Sequence, residues 1–521
     1  MDMIYDTIIV GAGMGGLTAG NILQKEKKTT LIIEQHFIPG GYCTNFKRKD
    51  FTFDSSLHLL NGCEKGGMIY NILKLFDAEN CVNFQRIEEI FHWKCPPRNI
   101  DIAVSSDIDK YISQLTDLFP DEAEGIKKFY RDHIKVVKFM MGWGMGSFFR
   151  KVYVWMRYFR SFVRFMGLLD STVSDILNPY VSDPVARNLI TALGGFFGLG
   201  PDEMSAAIFL AGGLSYFMED SYYPIGGSGG FSQALADIYE ENGGVLLLST
   251  EVTGINMGEN GLASSVTIKK RNGEIETLYA KSFVINSDLT KFVTKLCPKE
   301  HLPKEYIAKI VNRRPAFSAV VVYLGLNLDL RERGFSEYEL WQSEDLVTRP
   351  TSELRKIAKN LEFEKLTGTG ISIYSNVDPE CCPPGKSVLS TIFYATPDAF
   401  QEVIEADQGK RGENYKNLKA QIGNIFVKRI QKLLDIPELE KYIEVLEVAT
   451  PITLHRYTSN REGSMIGWEV TPDQMLLNQI PQETPINNVI LAGAWTNPGG
   501  GVSAVMQSGS EAAKLVKKWL K

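Results

Sequence analysis

The hydrophobic pattern at the start of the chain predicts a strand, a helix and a second strand in direct succession. Ile8, Ile9 and Val10 form a β-branched run that leads into the glycine-rich segment 11–16. Apolar residues then recur at helical spacing over residues 17–23. A second apolar run occupies residues 30–33. The glycine segment therefore forms the turn at which a strand passes directly into a helix.

Apolar runs and turn residues mark further elements along the chain. Asn272-Gly273 is a strong hairpin signal between two runs of alternating residues. From about residue 68 to residue 201 the pattern is helical and rich in aromatic residues. Strands are predicted over 51–53, 245–248, 266–270, 275–279, 283–286, 319–324, 387–394 and 489–492, and helices over 233–242 and 416–434.

The first glycine segment has the spacing of a dinucleotide-binding turn. Gly11 permits the tight turn, Gly13 lets a pyrophosphate approach the backbone, and Gly16 lets the helix pack on the strand. Glu34 follows the second strand, where a carboxylate can accept both ribose hydroxyls and would repel a 2′-phosphate. Glycines also cluster in ordinary turns, but here the strand, the helix and the acid are in register. The sequence predicts dinucleotide binding that is not of the NADP type.

Two later glycine segments have the same strand or helix context. Segment 226–230 follows Tyr222-Tyr223-Pro224 and precedes a helix. Segment 493–502 follows an apolar strand and also precedes a helix, so free backbone amides again face an anion or a ring. For segment 226–230 the alternative is a plain loop between two elements.

Composition and charge narrow the class of protein. With 521 residues, 44% hydrophobic and 23% charged, the chain is long enough for two connected globular domains. A formal charge of -6 argues against a nucleic-acid partner. Seven scattered cysteines without a CxxC pair, and no apolar leader or spanning run, predict a reduced cytoplasmic protein. The six histidines show no pair at ligand spacing, so we expect no metal site.

Residues 131–164 combine basic and aromatic side chains. Arg150, Arg157, Arg160 and Arg164 fall close to one helical face, with aromatic residues between them. A basic amphipathic helix of this kind can lie in a membrane interface. The alternative is a helix that packs on its own domain and exposes a solvated basic face. The pattern therefore allows peripheral membrane contact.

Several of these motifs together resemble one known family. The glycine fingerprint, Glu34, Pro39-Gly40-Gly41 and Phe53-Asp54 are similar to the N-terminus of the phytoene desaturase family of amine-oxidase-like FAD proteins, which includes carotenoid isomerases and retinol saturases. His58, four residues after the aspartate, is most similar to the retinol saturase-like branch. Many members have a glycine where this chain has Asp50.

The resemblance implies an α/β fold with a discontinuous, Rossmann-like FAD-binding domain and a mixed-sheet and helical substrate domain. The FAD-binding domain would comprise residues 1–67, 219–298 and 440–521. The substrate-binding domain would comprise residues 68–218 and 299–439. The implied cofactor-binding residues are Gly11, Gly13, Gly15, Gly16, Glu34, Gln35, Gly40, Gly41, Tyr42, Val252, Gly493, Ala494, Gly501 and Val502.

Two of these positions carry specific expectations from the family. The backbone of Val252 would meet the adenine. Ala494 stands where most members have an aspartate that touches the flavin, which removes one hydrogen bond worth about 1–2 kcal/mol.

Flavin chemistry needs a proton donor or acceptor within reach, and His58 and Tyr223 are the candidates. His58 could equally be a satisfied core histidine. Trp495 would either stack near the flavin or simply pack. A tunnel lined by segment 204–223 and the aromatic helices would hold the substrate.

The implied function is an FAD-dependent oxidoreductase acting on CH-CH groups, which saturates or desaturates a long apolar polyene or isoprenoid lipid, retinoid-like or carotenoid-like. One alternative is flavin-dependent cis-trans isomerisation of such a polyene. Another is a non-catalytic lipid carrier. No second dinucleotide fingerprint is visible, so we expect a separate or diffusible electron partner.

Overall fold

A computed structural model describes residues 3–144 and 159–521 of the chain. Two large sheets with helices on their faces form its framework. The strands are β1 Ile4–Val10, β2 Thr30–Ile33, β3 Asn45–Arg48, β4 Phe51–Asp54, β5 Leu60–Asn61, β6 Phe84–Ile87, β7 Glu89–Cys95, β8 Ile100–Ser105, β9 Ser221–Pro224, β10 Val245–Leu247, β11 Thr250–Met257, β12 Ala263–Lys270, β13 Ile275–Ile285, β14 Ser318–Leu326, β15 Glu339–Ser343, β16 Gly368–Ile373, β17 Ser387–Ala395, β18 Ile443–Ala449 and β19 Val489–Leu491.

The α-helices of the described residues lie between and after these strands, and seven of them follow one another between β8 and β9. They are α1 Met14–Lys25, α2 Met68–Leu73, α3 Ile108–Leu118, α4 Ala123–Gly144, α5 Phe159–Leu168, α6 Val173–Leu177, α7 Pro184–Ile190, α8 Ala206–Gly213, α9 Ser215–Met218, α10 Gly227–Glu241, α11 Leu289–Lys291, α12 Lys304–Val311, α13 Thr351–Asn360, α14 Asp398–Ala406, α15 Glu413–Leu434, α16 Pro451–Thr458 and α17 Val502–Trp519.

The first sheet is Rossmann-like. Its parallel part runs in the order β10, β2, β1, β13 and β19. All four residues of β2 are buried, as expected for a strand that helices cover on both faces. The antiparallel strands β12 and β11 extend it from the first half of β13. The predicted α/β fold with a discontinuous Rossmann-like domain is confirmed.

The second sheet is mixed and has the order β18, β14, β17, β16, β15, β7 and β8. All nine residues of β14 are buried because both faces of the sheet are covered. Ala319, Val321 and Tyr323 belong to the main core shared with the first sheet. Val320 and Val322 face a smaller core that includes helix α15. The second sheet therefore separates a shared interior from an outer helical layer.

The helical expectation for residues 68–201 was wrong in part. Strands β6, β7 and β8 lie in this stretch, and β7 and β8 form one edge of the second sheet. In β7 the apolar residues Phe91, Trp93 and Cys95 alternate with less buried ones, which is the strand period. At the other edge, β18 joins the second sheet by pairing with β14. The expected domain boundary at residue 440 places β18 with the FAD-binding domain instead.

Part of the basic aromatic segment, including Arg150 and Arg157, lies outside the described residues. Helix α5 is described, and it exposes Phe159, Val163 and Met166. Across residues 3–144 and 159–521, none of the helices combines the length and the apolar character that crossing a membrane requires.

Candidate cofactor and active site

The turn between β1 and α1 brings backbone into unusually close contact. Gly11 has a φ of +101°, which favours glycine. A Cβ on Gly16 would stand 2.1 Å from the carbonyl oxygen of Gly11, so only a glycine lets helix and strand approach this closely. Gly13 is the N-cap of α1 and has no side-chain cap. The first amides of the helix are therefore free for an anionic ligand.

Glu34 lies at the end of β2, in the position predicted for a ribose acceptor. One carboxylate oxygen accepts from the backbone N–H of Ala12 and the other from that of His36, each at 2.8 Å. Burial raises the pKa of Glu34, while these two amides oppose the rise. Gln35, beside it, donates to the hydroxyl of Ser459 at 2.9 Å. The carboxylate is thus held in one orientation by backbone groups.

The segment Gly40-Gly41-Tyr42 lies directly against the first glycine turn. Gly40 and Gly41 have φ values of +108° and +64°. The amide of Gly40 donates to the carbonyl of Ala12 at 2.8 Å. The hydroxyl of Tyr42 donates to the carbonyl of Gly463 at 2.9 Å. This segment forms a second bare stretch of backbone beside Gly13.

The C-terminal glycine segment brings a second helix N-terminus to the same place. Gly501, with a φ of +102°, is the N-cap of α17, which also lacks a side-chain cap. A Cβ on Gly15 would lie 3.2 Å from the Cα of Gly493, so the two turns touch. Ala494 lines the cavity with a methyl group, which makes no hydrogen bond. Two uncapped helix N-termini therefore open onto one cavity.

Asn286 joins these turns and was missed by the sequence analysis. It follows β13, and its side-chain amide donates to the carbonyl of Gly11 at 3.1 Å. Its side-chain oxygen would lie 2.8 Å from a Cβ on Gly15 and 2.4 Å from one on Gly493. The position of Asn286 at the end of a predicted strand could have identified it as a site residue, because side chains at that edge of such a sheet face the nucleotide.

A single cavity of about 910 Å³ connects these parts. Every predicted cofactor residue except Gly16 lines it, including Val252 on β11. Gly16 lies behind the turn, where it serves the packing of α1. Bare glycine backbone, two free helix N-termini and an oriented carboxylate are the donor and acceptor set that a dinucleotide requires, so the residues present fit FAD.

His58 lies on the wall of the same cavity and is paired with a buried acid. Its Nδ1 lies 2.9 Å from a carboxylate oxygen of Glu339 and 2.9 Å from the hydroxyl of Ser372. The hydroxyl of Ser372 also donates to Glu339 at 2.7 Å, and the indole of Trp341 donates to its other oxygen at 2.8 Å. Tyr338 donates to the backbone carbonyl of His58 at 2.7 Å.

These contacts change the acidity of His58. Burial lowers the pKa of His58, but the charge and the hydrogen bond of Glu339 outweigh burial, and the net shift raises the pKa. Because Nδ1 is engaged by Glu339 and Ser372, Nε2 is the ring nitrogen left to face a ligand; it makes no hydrogen bond to the described residues. The arrangement favours the protonated form of His58 beside the cavity.

Tyr223 occupies a different place from the one expected. It is fully buried on β9, outside the cavity lining. Its hydroxyl donates to Asp54 at 3.1 Å, and Asp54 also accepts from the amide and the hydroxyl of Ser228. Burial and the nearby Asp54 raise the pKa of Tyr223 well above its ordinary range. This placement indicates that Tyr223 anchors β9 and α10, and favours His58 as the proton-carrying group.

Trp495 lines the cavity and is also well packed. Its indole N–H donates to the side chain of Asn460 at 3.1 Å. Its ring meets that of Trp468 edge to face at 4.7 Å. Both roles that the sequence left open, a ring beside the cofactor and a packing residue, are compatible with this position.

The rest of the cavity wall is largely apolar and aromatic. From the predicted tunnel segment 204–223, only Tyr216 lines it, so that expectation was largely wrong. Helices α8 and α9 instead pack in the main core. The walls come from the short segment 195–198 and from inward side chains of the second sheet. These residues are far apart along the chain, so sequence reasoning could not group them. These side chains include Phe196, Phe317, Tyr323, Ile392 and Tyr394.

Comparison with known proteins agrees with this geometry. The family model described as flavin containing amine oxidoreductase matches residues 14–517. The chain belongs to this flavin containing amine oxidoreductase family. It is therefore a flavoprotein, and FAD is its cofactor, as the family resemblance implied. The matched residues include the second sheet and every strand of the first sheet except β1, and they extend into the C-terminal helix α17.

Two relatives match nearly the whole chain. Prolycopene isomerase 2, a chloroplastic protein of an Oncidium hybrid cultivar, is 27% identical over 98% of this chain and 84% of its own length. The all-trans-retinol 13,14-reductase of Danio rerio is 24% identical over 94% of this chain and 82% of its own length. The predicted resemblance to carotenoid isomerases and retinol saturases is confirmed.

Solved structures share the fold at lower identity. An oxidoreductase from Methanosarcina mazei has a TM-score of 0.63 and 20% identity, covering 98% of this chain and 99% of its own. Putrescine oxidase bound to putrescine also has a TM-score of 0.63, at 13% identity, covering 99% of this chain and 100% of its own. At these identities the likeness supports the fold alone.

Proposed function

We propose that this flavoprotein acts on carbon-carbon bonds, as a CH-CH oxidoreductase that saturates or desaturates a long apolar polyene or isoprenoid lipid. The observation that carries this proposal is the continuity of one cavity from the cofactor glycines to the His58–Glu339 pair through apolar and aromatic walls. The names of the two full-length relatives, which refer to a carotene and to retinol, support the same substrate class.

Bound FAD supplies hydride exchange with a carbon atom, which no side chain can perform. The role of the chain is to place the substrate and to manage one proton. His58 presents Nε2 to the cavity as the proton-carrying atom, while Glu339 favours the protonated ring by its charge and orients it through Nδ1. The aromatic walls hold an extended apolar chain and exclude water from the reacting carbons.

The second candidate function is flavin-dependent cis-trans isomerisation of a polyene without net redox change. It is favoured by the relative named prolycopene isomerase, whose identity to this chain slightly exceeds that of the reductase. The same cavity and the same FAD would serve it. A non-catalytic lipid carrier is the remaining alternative, and a tightly held flavin argues against it because a carrier has no use for one.

Product analysis separates these functions. The FAD-loaded protein would be incubated with a polyene alcohol, a polyene carboxylic acid and a carotene, under reducing and oxidising conditions, and the products examined by chromatography with mass detection. A gain or loss of two hydrogens supports the proposal. An isomer of unchanged mass supports the second candidate, and recovery of unchanged substrate under both conditions contradicts both.

We also propose that a separate or diffusible partner supplies or accepts the electrons. In addition, we propose that the protein contacts a membrane peripherally from the cytoplasmic side. The support for membrane contact is the outer face of α5, where Phe159, Val163 and Met166 are 50%, 56% and 46% exposed. An apolar substrate would have to leave a membrane to reach the cavity.

A further inference from the structure

One end of the cavity carries a group of basic side chains. Lys47 and Arg48 extend from β3, and Arg411 and Lys419 come from the start of α15 and the residues before it. All four line the cavity, and the first three are exposed, so the cavity opens to solvent here. We call these four residues the basic mouth. Neither the glycine segments nor the His58–Glu339 pair explains their presence.

The positive charge of the basic mouth is only partly neutralised. Glu447 on β18 also lines this end, and it accepts from Nε of Arg48 at 2.7 Å. Among the described residues, no carboxylate forms an ion pair with Lys47, Arg411 or Lys419. Three cations thus remain without an acidic partner at the entrance of a largely apolar cavity, where a focused positive potential attracts anions.

The surroundings of Lys419 disfavour its charged form. Lys419 is half-buried, and burial lowers its pKa. Glu447 opposes this shift, whereas the nearby charges of Arg411 and Arg48 add to it. A half-buried ammonium group beside two guanidinium groups is stabilised by an anion that enters the mouth. Guanidinium groups suit carboxylate and phosphate oxygens in particular.

An apolar path leads inward from the basic mouth. The guanidinium of Arg48 lies over the ring of Phe46, 5.2 Å from its centre. The ring of Phe46 meets that of Tyr323 edge to face at 4.9 Å. Phe46, Tyr323 and Ile392 all line the cavity. A ligand that places an anion among the cations would therefore lay its chain against aromatic and aliphatic walls.

The second sheet sets the distance from the mouth to the acid of the active site. Glu447 pairs with Tyr323, Tyr323 with Ser390, Ser390 with Ser372, and Ser372 with Glu339. These residues form one row across five neighbouring strands. At about 4.8 Å per strand spacing, Glu447 and Glu339 lie about 19 Å apart. His58 contacts Glu339 and Ser372, the last two residues of this row.

We propose that the substrate is an amphiphile with an anionic terminal group, a carboxylate or a phosphate, which the basic mouth binds while the apolar chain extends toward His58. This inference rests on the proposed function, because it describes the substrate of the same cavity. The anionic group fixes the register of the chain, so the reacting bond lies at a set distance from it rather than at its end.

Binding of a matched pair of probes tests the inference. Parinaric acid, a conjugated polyene fatty acid, and its methyl ester differ only in the charge of the head group. Equilibrium dialysis of each against the FAD-loaded protein gives its Kd. The acid should bind about tenfold more tightly, because its charged head group can form charge-assisted hydrogen bonds with the basic mouth and the ester cannot. Salt should reduce this preference because the mouth is open to solvent.

Variants assign the preference to the mouth. Lys419→Met should abolish most of the difference between acid and ester, whereas Lys419→Arg, which keeps the charge, should retain it. Lys428→Met is the matched control, because Lys428 lies exposed on the same helix and away from the cavity. Each variant should keep the FAD content and melting temperature of the unmodified protein.

The outcomes distinguish this inference from the proposed function. Equal binding of acid and ester, or an unchanged preference in Lys419→Met, would overturn the basic mouth as a head-group site even if polyenes are converted. A clear preference without conversion of either probe would leave the mouth established and contradict the oxidoreductase proposal. Displacement of the acid, but not of the ester, by inorganic phosphate would support the basic mouth as the site of the anionic group. Farnesyl phosphate and farnesol, compared in the same way, identify which anion is preferred.

Discussion

At the scale of single residues, the pairing of His58 with Glu339 is the main polar contact that we propose to serve the chemistry of the cavity. A buried carboxylate without a partner would be costly, and here it accepts from Ser372, Trp341 and His58. The same contacts orient the imidazole and raise its pKa. His58 was predictable from the sequence because it follows Phe53-Asp54 closely. Glu339 was not, since nothing in the sequence links it to a histidine 281 residues earlier.

The raised pKa of His58 predicts how activity depends on pH. A raised pKa keeps the imidazolium populated above the ordinary value of about 6.5, so its contribution to stability is complete below that value and is lost as pH rises through the raised pKa. The limb of kcat/KM that reports this acid should therefore fall at a pH above 6.5. Glu339→Gln should move that limb to lower pH, and Ser372→Ala, which keeps the carboxylate, should move it less. A pH profile identical in Glu339→Gln would contradict the pairing.

Replacing His58 by alanine should leave the cofactor bound and slow turnover about 100-fold or more, as expected for loss of a proton donor. Flavin content from the visible spectrum and kcat on a polyene substrate are the two measurements. His92→Ala is the control, because His92 pairs with Asp101 on the second sheet, outside the cavity. Turnover in His58→Ala equal to that of the control would remove His58 from the mechanism.

At the scale of elements, the strand-turn-helix units explain why the fold was largely predictable. Gly11, Gly13 and Gly16 predict a turn in which the backbone segments lie so close together that side chains would not fit. The hairpin at Asn272-Gly273 likewise joins β12 to β13 as expected, with Gly273 at a φ of +88°. Such signals are local in sequence, so the pattern alone can reveal them.

Gly16→Ala tests the closest of these contacts. Its Cβ would stand 2.1 Å from the carbonyl oxygen of Gly11, so α1 or β1 must move. We expect a loss of about 1–3 kcal/mol in the free energy of unfolding and reduced FAD occupancy. Gly254→Ala is the control, because a Cβ there meets no atom within 4 Å. Thermal melts and flavin content of the two variants check this, and equal behaviour would contradict the packing role of Gly16.

Helix α5 carries the membrane prediction. Its exposed Phe159, Val163 and Met166 should insert at the surface of vesicles containing anionic lipid. Val163→Asp should weaken co-sedimentation with such vesicles, because it places a charge among the apolar side chains. Leu477→Asp, at a residue 79% exposed elsewhere, is the control. Equal sedimentation of both variants would contradict membrane contact through α5.

Elements that depend on distant partners were the ones that sequence reasoning missed. In β7 buried and less buried residues alternate, but its aromatic residues were interpreted as part of a helical stretch. Pairing with β15 stabilises the strand. Segment 204–223 is apolar enough for a tunnel wall, but its helices are used for core packing. Apolar character indicates burial, whereas the choice between core and cavity is made by the whole fold.

At the scale of the molecule, the cavity unites both sheets. The first sheet supplies Glu34, Val252 and Asn286, and the second supplies Tyr323 and Glu447. The nucleotide half was predictable because its turns depend on glycines whose spacing is visible in the sequence. The substrate half was not, because its walls are side chains from strands and helices far apart in sequence. Only the folded chain shows that the glycine turns, His58 and the basic mouth share one space.

The most direct test of the central claim is a single turnover without oxygen. Protein with chemically reduced FAD is mixed with a polyene, and protein with oxidised FAD with the more saturated compound, while flavin and polyene absorbance are followed together. We predict that, in one of the two directions, flavin and lipid change oxidation state together in equal amounts. Loss or rearrangement of the polyene without any change in flavin oxidation state, or no change in either mixture, would contradict the account.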